Sequence, residues 1–353
     1  MFLARRLLIT LVLGCSCASL PAQTAEPTQP APYLERSVSY LNAAGGVALG
    51  GSFTRPTTGG PFPAVLLIPG SGPQDRDESI AGHKPFFVLA QYLTRRGIAV
   101  LRVDRRGVGS SKGDFKKATS QDFASDAEAG VRYLTTRPDV DPKQIGLIGH
   151  GEGAIIAPMV AGNIPQIAFI VLLAAPALPG EQVLLTQREH AERAAHVPET
   201  QIALDKKIAT MVYDMVREGK KQRDLTRALS KQEEQKDAMA GLWINQIPRL
   251  DTPWLRFFLS YDPAPALEKV KCPLLALEGE KDMDVVPGQN VPALKAALSR
   301  GGNPDATVTI LPGLNYLFQT AETGLPMEYP AIPETMSPVA LNAIATWIAK
   351  HTS

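Results

Sequence analysis

The sequence predicts an α/β protein whose mostly parallel, doubly wound sheet is opened by an N-terminal antiparallel hairpin. Short continuous apolar runs, which are typical of strands buried on both faces, alternate with amphipathic segments of helical length. Residues 37–41 and 47–53 flank a glycine-containing turn at 42–46, a pattern that indicates a hairpin. Since strands that alternate with helices are joined by right-handed crossovers, the remaining strands should run parallel.

The first 32 residues are predicted to lie outside the folded core. Residues 1–22 contain two arginines, a short apolar run and then small residues, which together indicate an export signal. The apolar run is too short to span a bilayer. Cys15 follows a Val-Leu-Gly sequence and is a candidate lipid anchor, and residues 23–32 are a proline-rich tether. The protein is therefore expected to be periplasmic or extracellular.

The core elements follow in order, each from its own pattern. The predicted core strands share uninterrupted apolar runs and cover residues 64–68, 98–103, 145–149, 168–173, 273–277 and 306–311. The predicted core helices share an amphipathic pattern bounded by glycine, proline or a polar cap and cover residues 84–96, 120–136, 152–161, 292–299 and 338–350. The core therefore comprises residues 33–178 and 266–353.

Residues 179–265 interrupt this alternation. They are charged and helical in pattern and contain no apolar strand run. Because they lie between two core strands, they are predicted to form a helical cap inserted into the core, and the name cap is used for this segment below.

Composition limits the classes of partner. The chain has 36 Lys and Arg against 35 Asp and Glu, so its formal net charge of +1 gives no electrostatic reason to expect nucleic acid. The sequence contains no paired-cysteine, HExxH or phosphate-loop motif, and its 5 histidines are scattered. We therefore expect no metal and no cofactor, and a small, largely uncharged ligand as partner.

The most informative motif is Gly149-His150-Gly151-Glu152-Gly153, which joins an apolar strand to a helix. A G-x-S-x-G turn at such a junction holds a serine hydroxyl on a sharp bend, where a base deprotonates it and backbone amides receive the oxyanion. Here Gly151 stands at the serine position. The sequence therefore predicts the bend without its nucleophile.

The chain resembles bacterial secreted or periplasmic esterase-like hydrolases of the α/β-hydrolase superfamily, of the serine aminopeptidase and carboxylesterase type. The motifs that carry the resemblance occur in family order and are Gly70-Ser71-Gly72-Pro73-Gln74-Asp75-Arg76-Asp77, Gly82-His83-Lys84-Pro85-Phe86, Asp104-Arg105-Arg106-Gly107-Val108-Gly109-Ser110-Ser111, the elbow itself, Gly279-Glu280-Lys281-Asp282 and Asn315-Tyr316-Leu317-Phe318. The resemblance implies an α/β-hydrolase fold and a catalytic triad in the order serine, aspartate, histidine. Its acid would be Asp282, while Gly151 and Tyr316 replace the nucleophile and the base.

These two replacements should abolish acyl transfer through a serine. A phenol with a reference pKa of ~10 is protonated at neutral pH and cannot serve as the general base. By analogy with protease triads, losing either partner costs about 10⁶ in turnover and leaves about 10³ to 10⁴ over water. Asp282 needs a new partner, and we expect the Tyr316 hydroxyl to donate a hydrogen bond to it.

The remaining candidates belong to a binding pocket. The amides of Glu152 and of Ser71 or Gly72 are expected to form an oxyanion-type donor pair at a helix N-terminus. Glu152 is also the strongest candidate acid or base beside the vacant position. His150 is expected to be a packed, hydrogen-bonded neighbour of the pocket, and His83 to cap a helix or line the pocket wall.

Three functional hypotheses remain open. The first is an exported pseudo-hydrolase that binds a small, mostly apolar, carbonyl-bearing ligand. The second is an enzyme of changed mechanism that uses the donor pair with Tyr316, Asp282 and Glu152. The third is a carboxylesterase inactivated at two catalytic positions. The fold alone does not choose among them.

Overall fold

A computed structural model describes residues 33–234 and 243–352. The predicted export signal, the tether and Cys15 lie outside these described residues. Within them, none of the helices combines the length and the hydropathy that a bilayer-spanning helix needs.

One sheet of eight strands organises the core, in the spatial order β1-β2-β4-β3-β5-β6-β7-β8. The strands are β1 (Tyr33–Asn42), β2 (Val47–Pro56), β3 (Phe62–Ile68), β4 (Ala99–Val103), β5 (Val140–His150), β6 (Phe169–Leu173), β7 (Leu274–Gly279) and β8 (Ala306–Leu311). The hairpin β1–β2 is antiparallel and β2 pairs antiparallel with β4, whereas the pairs from β4 to β8 are parallel. The predicted fold class, a mostly parallel sheet opened by an antiparallel hairpin, is confirmed.

The described helices are α1 (Pro85–Thr94), α2 (Ser120–Thr135), α3 (Glu152–Asn163), α4 (Gly180–Ala194), α5 (Glu199–Arg217), α6 (Gln222–Glu234), α7 (Ile247–Leu250), α8 (Pro253–Ser260), α9 (Ala264–Lys269), α10 (Pro287–Gly301) and α11 (Pro338–His351), with short 3₁₀ helices at Phe115–Lys117 and Pro326–Ala331. Most boundaries lie within two residues of those predicted. The exceptions are the starts of β1, β5 and α10 and the end of β2, where each element is longer than predicted. In α10, Pro287 takes the first helical position and Pro292 lies inside the helix. Both prolines fit an N-terminal position, so the sequence pattern did not separate them.

Helices cover both faces of the sheet. Leu66 of β3 packs in the layer that contains Phe123 of α2 and Ile156 of α3. Its neighbour Leu67 packs in the opposite layer, with α1 and α11. Successive strand residues point to opposite faces, so the continuous apolar runs of the sequence supply both layers at once.

Between β6 and β7 the described part of the chain forms helices and contains no strand. Inside the cap the Arg188 guanidinium of α4 donates from Nη2 to Asp205 Oδ1 on α5 at 2.9 Å, and Trp243 Nε1 donates to the same oxygen at 2.8 Å. All three side chains are buried. A buried charge is tolerated when it is paired in this way, and the pair fixes α4 against α5.

The elbow depends on close packing between backbones. A Cβ at Gly153, in the first turn of α3, would lie 1.9 Å from the carbonyl oxygen of Ile68 at the end of β3. A Cβ at Gly149 would lie 2.1 Å from the carbonyl oxygen of Gly153. The two glycines therefore set how closely α3 approaches the sheet.

Gly153→Ala should destabilise the protein by about 1–3 kcal/mol, because the added methyl group meets backbone rather than a side chain that can turn away. Urea unfolding monitored by circular dichroism measures this difference. The matched control is Gly288→Ala in α10, where a Cβ meets nothing within 4 Å, and it should leave stability unchanged or slightly raised. Equal destabilisation by the two substitutions would contradict the packing argument.

Candidate active site

The bend between β5 and α3 has Gly151 at its apex. Gly151 adopts φ 53° and ψ −113°, a conformation that costs little for glycine and more for other residues. Its N–H donates to the Leu173 carbonyl at 2.9 Å, and its own carbonyl accepts from the Ala154 N–H at 3.0 Å. The elbow is therefore formed and fixed at both sides without a side chain at its apex.

The side chain of Tyr316 fills the space above this apex. A Cβ at residue 151 would lie 2.1 Å from Tyr316 Oη and 3.2 Å from its Cζ. A Cβ at Gly70, in the loop after β3, would lie 3.0 Å from the same hydroxyl. The phenol hydroxyl therefore occupies the volume that a nucleophile side chain at residue 151 would require.

Asp282 follows β7 and is buried. Its Oδ1 accepts the N–H groups of Asp284 at 2.8 Å and Val285 at 2.7 Å. Among the described residues its buried Oδ2 has no hydrogen-bond partner. The expected hydrogen bond from Tyr316 to Asp282 is therefore wrong, because the phenol hydroxyl projects toward Gly151 and Gly70 instead.

Burial governs the ionisation of these groups. Burial raises the pKa of Asp282 well above its usual range, and the nearby charge of Asp284 adds to the rise although two backbone N–H groups oppose it. Burial likewise raises the pKa of Tyr316 well above that of a free phenol, and the neighbouring carboxylates, Glu78 foremost, add to it. Tyr316 is therefore a neutral hydrogen-bond donor at any physiological pH.

Glu152 stands first in α3, and both of its carboxylate oxygens are engaged. Oε2 accepts from Arg105 Nη1 at 2.7 Å, and Oε1 accepts from Ser120 Oγ at 2.6 Å and Trp254 Nε1 at 2.7 Å. The side chains of Arg105 and Glu152 are both buried. Since Trp254 lies on α8 of the cap, this carboxylate joins the elbow to the cap.

The loop after β3 lies beside the elbow, since a Cβ at Gly70 in this loop would lie 3.0 Å from the Tyr316 hydroxyl that covers the apex. Arg105 Nη2 donates to the Pro69 carbonyl at 2.8 Å, so the arginine that pairs with Glu152 also holds this loop. Ser71 is exposed and Gly72 is half-buried. Of the N–H groups in the first turn of α3, that of Ala154 donates to the Gly151 carbonyl, whereas the Glu152 N–H is too early in the helix to have an acceptor one turn before it within α3.

The two histidines assigned to the pocket differ in position. His150 is buried and contacts Glu78 through Nδ1 at 2.9 Å and the Tyr316 carbonyl through Nε2 at 3.0 Å. His83 contacts Thr335 Oγ1 at 3.1 Å and the Tyr329 carbonyl at 2.9 Å, and it forms no side-chain cap at the start of α1. His150 therefore belongs to the elbow, whereas His83 joins the loop before α1 to residues 329–335.

Sequence reasoning missed two carboxylates around the site, Glu78 and Asp284. Glu78 is a fully buried carboxylate that binds both Gly70 N and His150, yet in the sequence it is one acid among several in a polar loop. Asp284, in the loop after β7, accepts from Tyr329 Oη at 3.1 Å and from Gln187 of α4. The contact with Gln187 connects this loop to the cap. No local motif marks these pairs, because the partners are distant in sequence.

Among residues 33–234 and 243–352, no group of three or more histidine, cysteine, aspartate or glutamate side chains is arranged to hold a metal ion.

Comparison with known proteins shows which family this chain belongs to. The alpha/beta hydrolase family matches residues 65–328, which is most of the chain, so this protein belongs to that family. It is 28% identical over 308 residues to the esterase EstD of Thermotoga maritima, covering 86% of this chain but only 66% of that protein. It is 32% identical over 163 residues to an uncharacterised protein of Mycobacterium tuberculosis, covering 43% of this chain and 54% of that protein.

Solved structures agree at the level of fold. An esterase of Pyrococcus furiosus superposes with a TM-score of 0.58 and 16% identity, covering 91% of this chain and 92% of that one. The α/β-hydrolase GrgF of Penicillium superposes with a TM-score of 0.56 at 16% identity, covering 90% and 99%. These identities establish the shared architecture and not a shared reaction.

Asp282→Asn should flatten the dependence of stability on pH. The folded-state pKa of Asp282 is raised above its unfolded value of ~3.9, so between that value and the folded pKa the native state holds a proton that the unfolded state has lost. The free energy of unfolding therefore falls as pH rises, by at most about 1.4 kcal/mol per pH unit. Asparagine keeps the acceptor for Asp284 and Val285 but does not titrate, so the variant should gain stability over the native chain between pH 4.5 and pH 8.

Urea unfolding at several pH values in this range measures the slope. Asp262→Asn is the matched control, because the exposed Asp262 accepts the N–H of Ala264 at 3.0 Å, a turn with the same spacing as that of Asp282 and Asp284. The control should keep the native pH slope. If Asp282→Asn keeps it as well, Asp282 does not carry a buried proton.

Proposed function

We propose that this protein is an exported pseudo-hydrolase, which has kept the elbow and donor groups of an esterase and now binds a small, mostly apolar, carbonyl-bearing ligand without forming an acyl-enzyme. The observation that carries the proposal is the 2.1 Å separation between Tyr316 Oη and a Cβ at residue 151. A nucleophile and Tyr316 cannot occupy the apex together. The loss of serine and the gain of tyrosine are thus one structural change.

The polarity of the apex supports a ligand oxygen as the group recognised. The Glu152 N–H is the first of α3, and the N-terminus of a helix favours a negatively polarised oxygen. Tyr316 is a neutral phenol because burial and neighbouring carboxylates raise its pKa. Both groups donate, so a carbonyl or carboxyl oxygen fits this site better than a hydrogen-bond donor does. The similarity to EstD, named an esterase, supports an ester- or acid-like ligand.

The contacts of Glu152 argue against the changed-mechanism hypothesis. Its oxygens accept from Arg105, Ser120 and Trp254, so a role as general acid or base would require it to leave an ion pair and the cap. The other carboxylate of that hypothesis, Asp282, has its free oxygen buried. We assign Glu152 the role of holding the elbow to the cap.

Export remains a proposal supported by the sequence of residues 1–22, with Arg5 and Arg6 before an apolar run. Binding a small apolar molecule requires no cofactor, and the sequence motifs likewise predict none.

Restoring both triad residues should restore hydrolysis. Gly151→Ser with Tyr316→His supplies a nucleophile, a base and a partner for the free oxygen of Asp282, and removes the phenol that blocks residue 151. We expect 4-nitrophenyl butyrate hydrolysis to rise by about 10³-fold or more over the native chain, and fluorophosphonate labelling to appear on the new serine. Each single variant should stay at the native level, because the triad acts as a unit.

Labelling of the native chain by fluorophosphonate, or native hydrolysis equal to that of the double variant, would contradict the proposal. The binding role is measured separately by calorimetry with hexanoate and methyl hexanoate. Tyr316→Phe should weaken binding about 2- to 10-fold, as expected for one hydrogen bond. Tyr92→Phe on α1 is the control and should bind as the native chain does.

A further inference from the structure

His150 is the residue before the elbow apex, and both of its ring nitrogens face oxygen acceptors. Nδ1 lies 2.9 Å from Glu78 Oε1, and Nε2 lies 3.0 Å from the backbone carbonyl of Tyr316. The side chains of His150 and Glu78 are both buried.

The chemistry of these acceptors fixes the protons. A peptide carbonyl only accepts, so Nε2 must carry hydrogen. Glu78 Oε1 accepts the Gly70 N–H at 2.5 Å, so the oxygen that faces Nδ1 already acts as an acceptor. Nδ1 must then carry hydrogen as well. A neutral imidazole has a single N–H and cannot satisfy both contacts.

We propose that His150 is an imidazolium and that its buried ion pair with Glu78 positions Tyr316 over the elbow. The ion pair itself does not depend on the proposed function. Only the effect of the Tyr316 hydroxyl position on ligand binding rests on that function, which the ion pair deepens. It assigns His150 and Glu78 as positioning residues, since neither touches the ligand-facing apex.

The surrounding charges favour this state. Burial alone lowers the pKa of His150, but the charge of Glu78 and the hydrogen bonds to Glu78 and to the Tyr316 carbonyl outweigh burial and raise it. Asp282 and Asp284, from the loop after β7, are the other acids near the ring, and Asp282 adds no charge below its raised pKa because it is then protonated. The remaining titratable group in contact is Tyr316, a neutral phenol, and the Phe318 ring lies 6.3 Å from that of His150.

The pair joins two loops and the end of a strand at one point. Glu78 holds the loop after β3 through Gly70 N, His150 ends β5, and the Tyr316 carbonyl belongs to the loop after β8. The Tyr316 ring lies against the imidazole with centroids 4.4 Å apart. Backbone and ring of Tyr316 are therefore both fixed by His150, which directs the hydroxyl to Gly151. If His150 lost its Nδ1 proton, a lone pair would face the Glu78 carboxylate and the link would break.

Nitrogen-15 NMR of histidine-labelled native protein tests the protonation state directly. At pH 8 a ring with the reference pKa of ~6.5 is about 97% neutral. We expect His150 to keep the signature of two protonated nitrogens at this pH. His83 is the internal control, because it also donates to a carbonyl from Nε2 while its Nδ1 faces the Thr335 hydroxyl, which can itself donate. A single-proton signature for His150 at pH 8 would overturn the proposal.

Two variants separate positioning from a merely structural role. Glu78→Gln removes the anion, so His150 should take the neutral signature at pH 8 and hexanoate binding should fall to the level of Tyr316→Phe. Tyr316→Phe keeps the backbone carbonyl and should leave the imidazolium signature unchanged. If Glu78→Gln leaves that signature unchanged, or leaves binding unchanged although Tyr316→Phe weakens it, the proposal fails.

The His150–Glu78 ion pair and the ligand role of Tyr316 are tested separately. If Tyr316→Phe does not alter hexanoate binding while native His150 is an imidazolium, the ion pair stands and the proposed ligand role of Tyr316 fails. Should Glu78→Gln not fold, the native spectrum alone still decides the protonation state.

Discussion

The site depends on one steric constraint, which is that the Tyr316 hydroxyl and a side chain at residue 151 compete for the same volume. The elbow itself does not need a side chain, since Gly151 is held by backbone hydrogen bonds to Leu173 and Ala154. What the glycine permits is the approach of the phenol to the apex. Residues 151 and 316 are therefore a coupled pair, because the side chain possible at one depends on the other.

The surroundings of this pair keep the geometry of a hydrolase. Gly149 and Gly153 still allow α3 to approach β3 at backbone contact. Asp282 still receives two backbone N–H groups, but its second oxygen is buried without a partner. Such a buried oxygen without a hydrogen-bond partner costs free energy.

The sequence predicted the sheet, the elbow and the positions of Gly151, Asp282 and Tyr316, because each follows from local apolar periodicity or a contiguous motif. It did not predict where the Tyr316 hydroxyl points, since that depends on the ring of His150 and on the open space at Gly151. Glu78 was missed for a related reason. Its importance comes from Gly70, in its own loop, and from His150, which the parallel pairing of β3 with β5 brings beside that loop. Likewise the contact between Glu152 and Trp254 spans 102 residues.

The most direct test of the central claim is the coupling free energy between Gly151→Ala and Tyr316→Phe, measured by urea unfolding of the four proteins of the cycle. Backbone strain at φ 53° acts on alanine in both backgrounds and cancels, so the coupling reports the contact with the hydroxyl. The account predicts that Gly151→Ala destabilises the native chain by about 1–3 kcal/mol more than it destabilises the Tyr316→Phe chain. An equal loss in the two backgrounds would show that the Tyr316 hydroxyl does not occupy the apex.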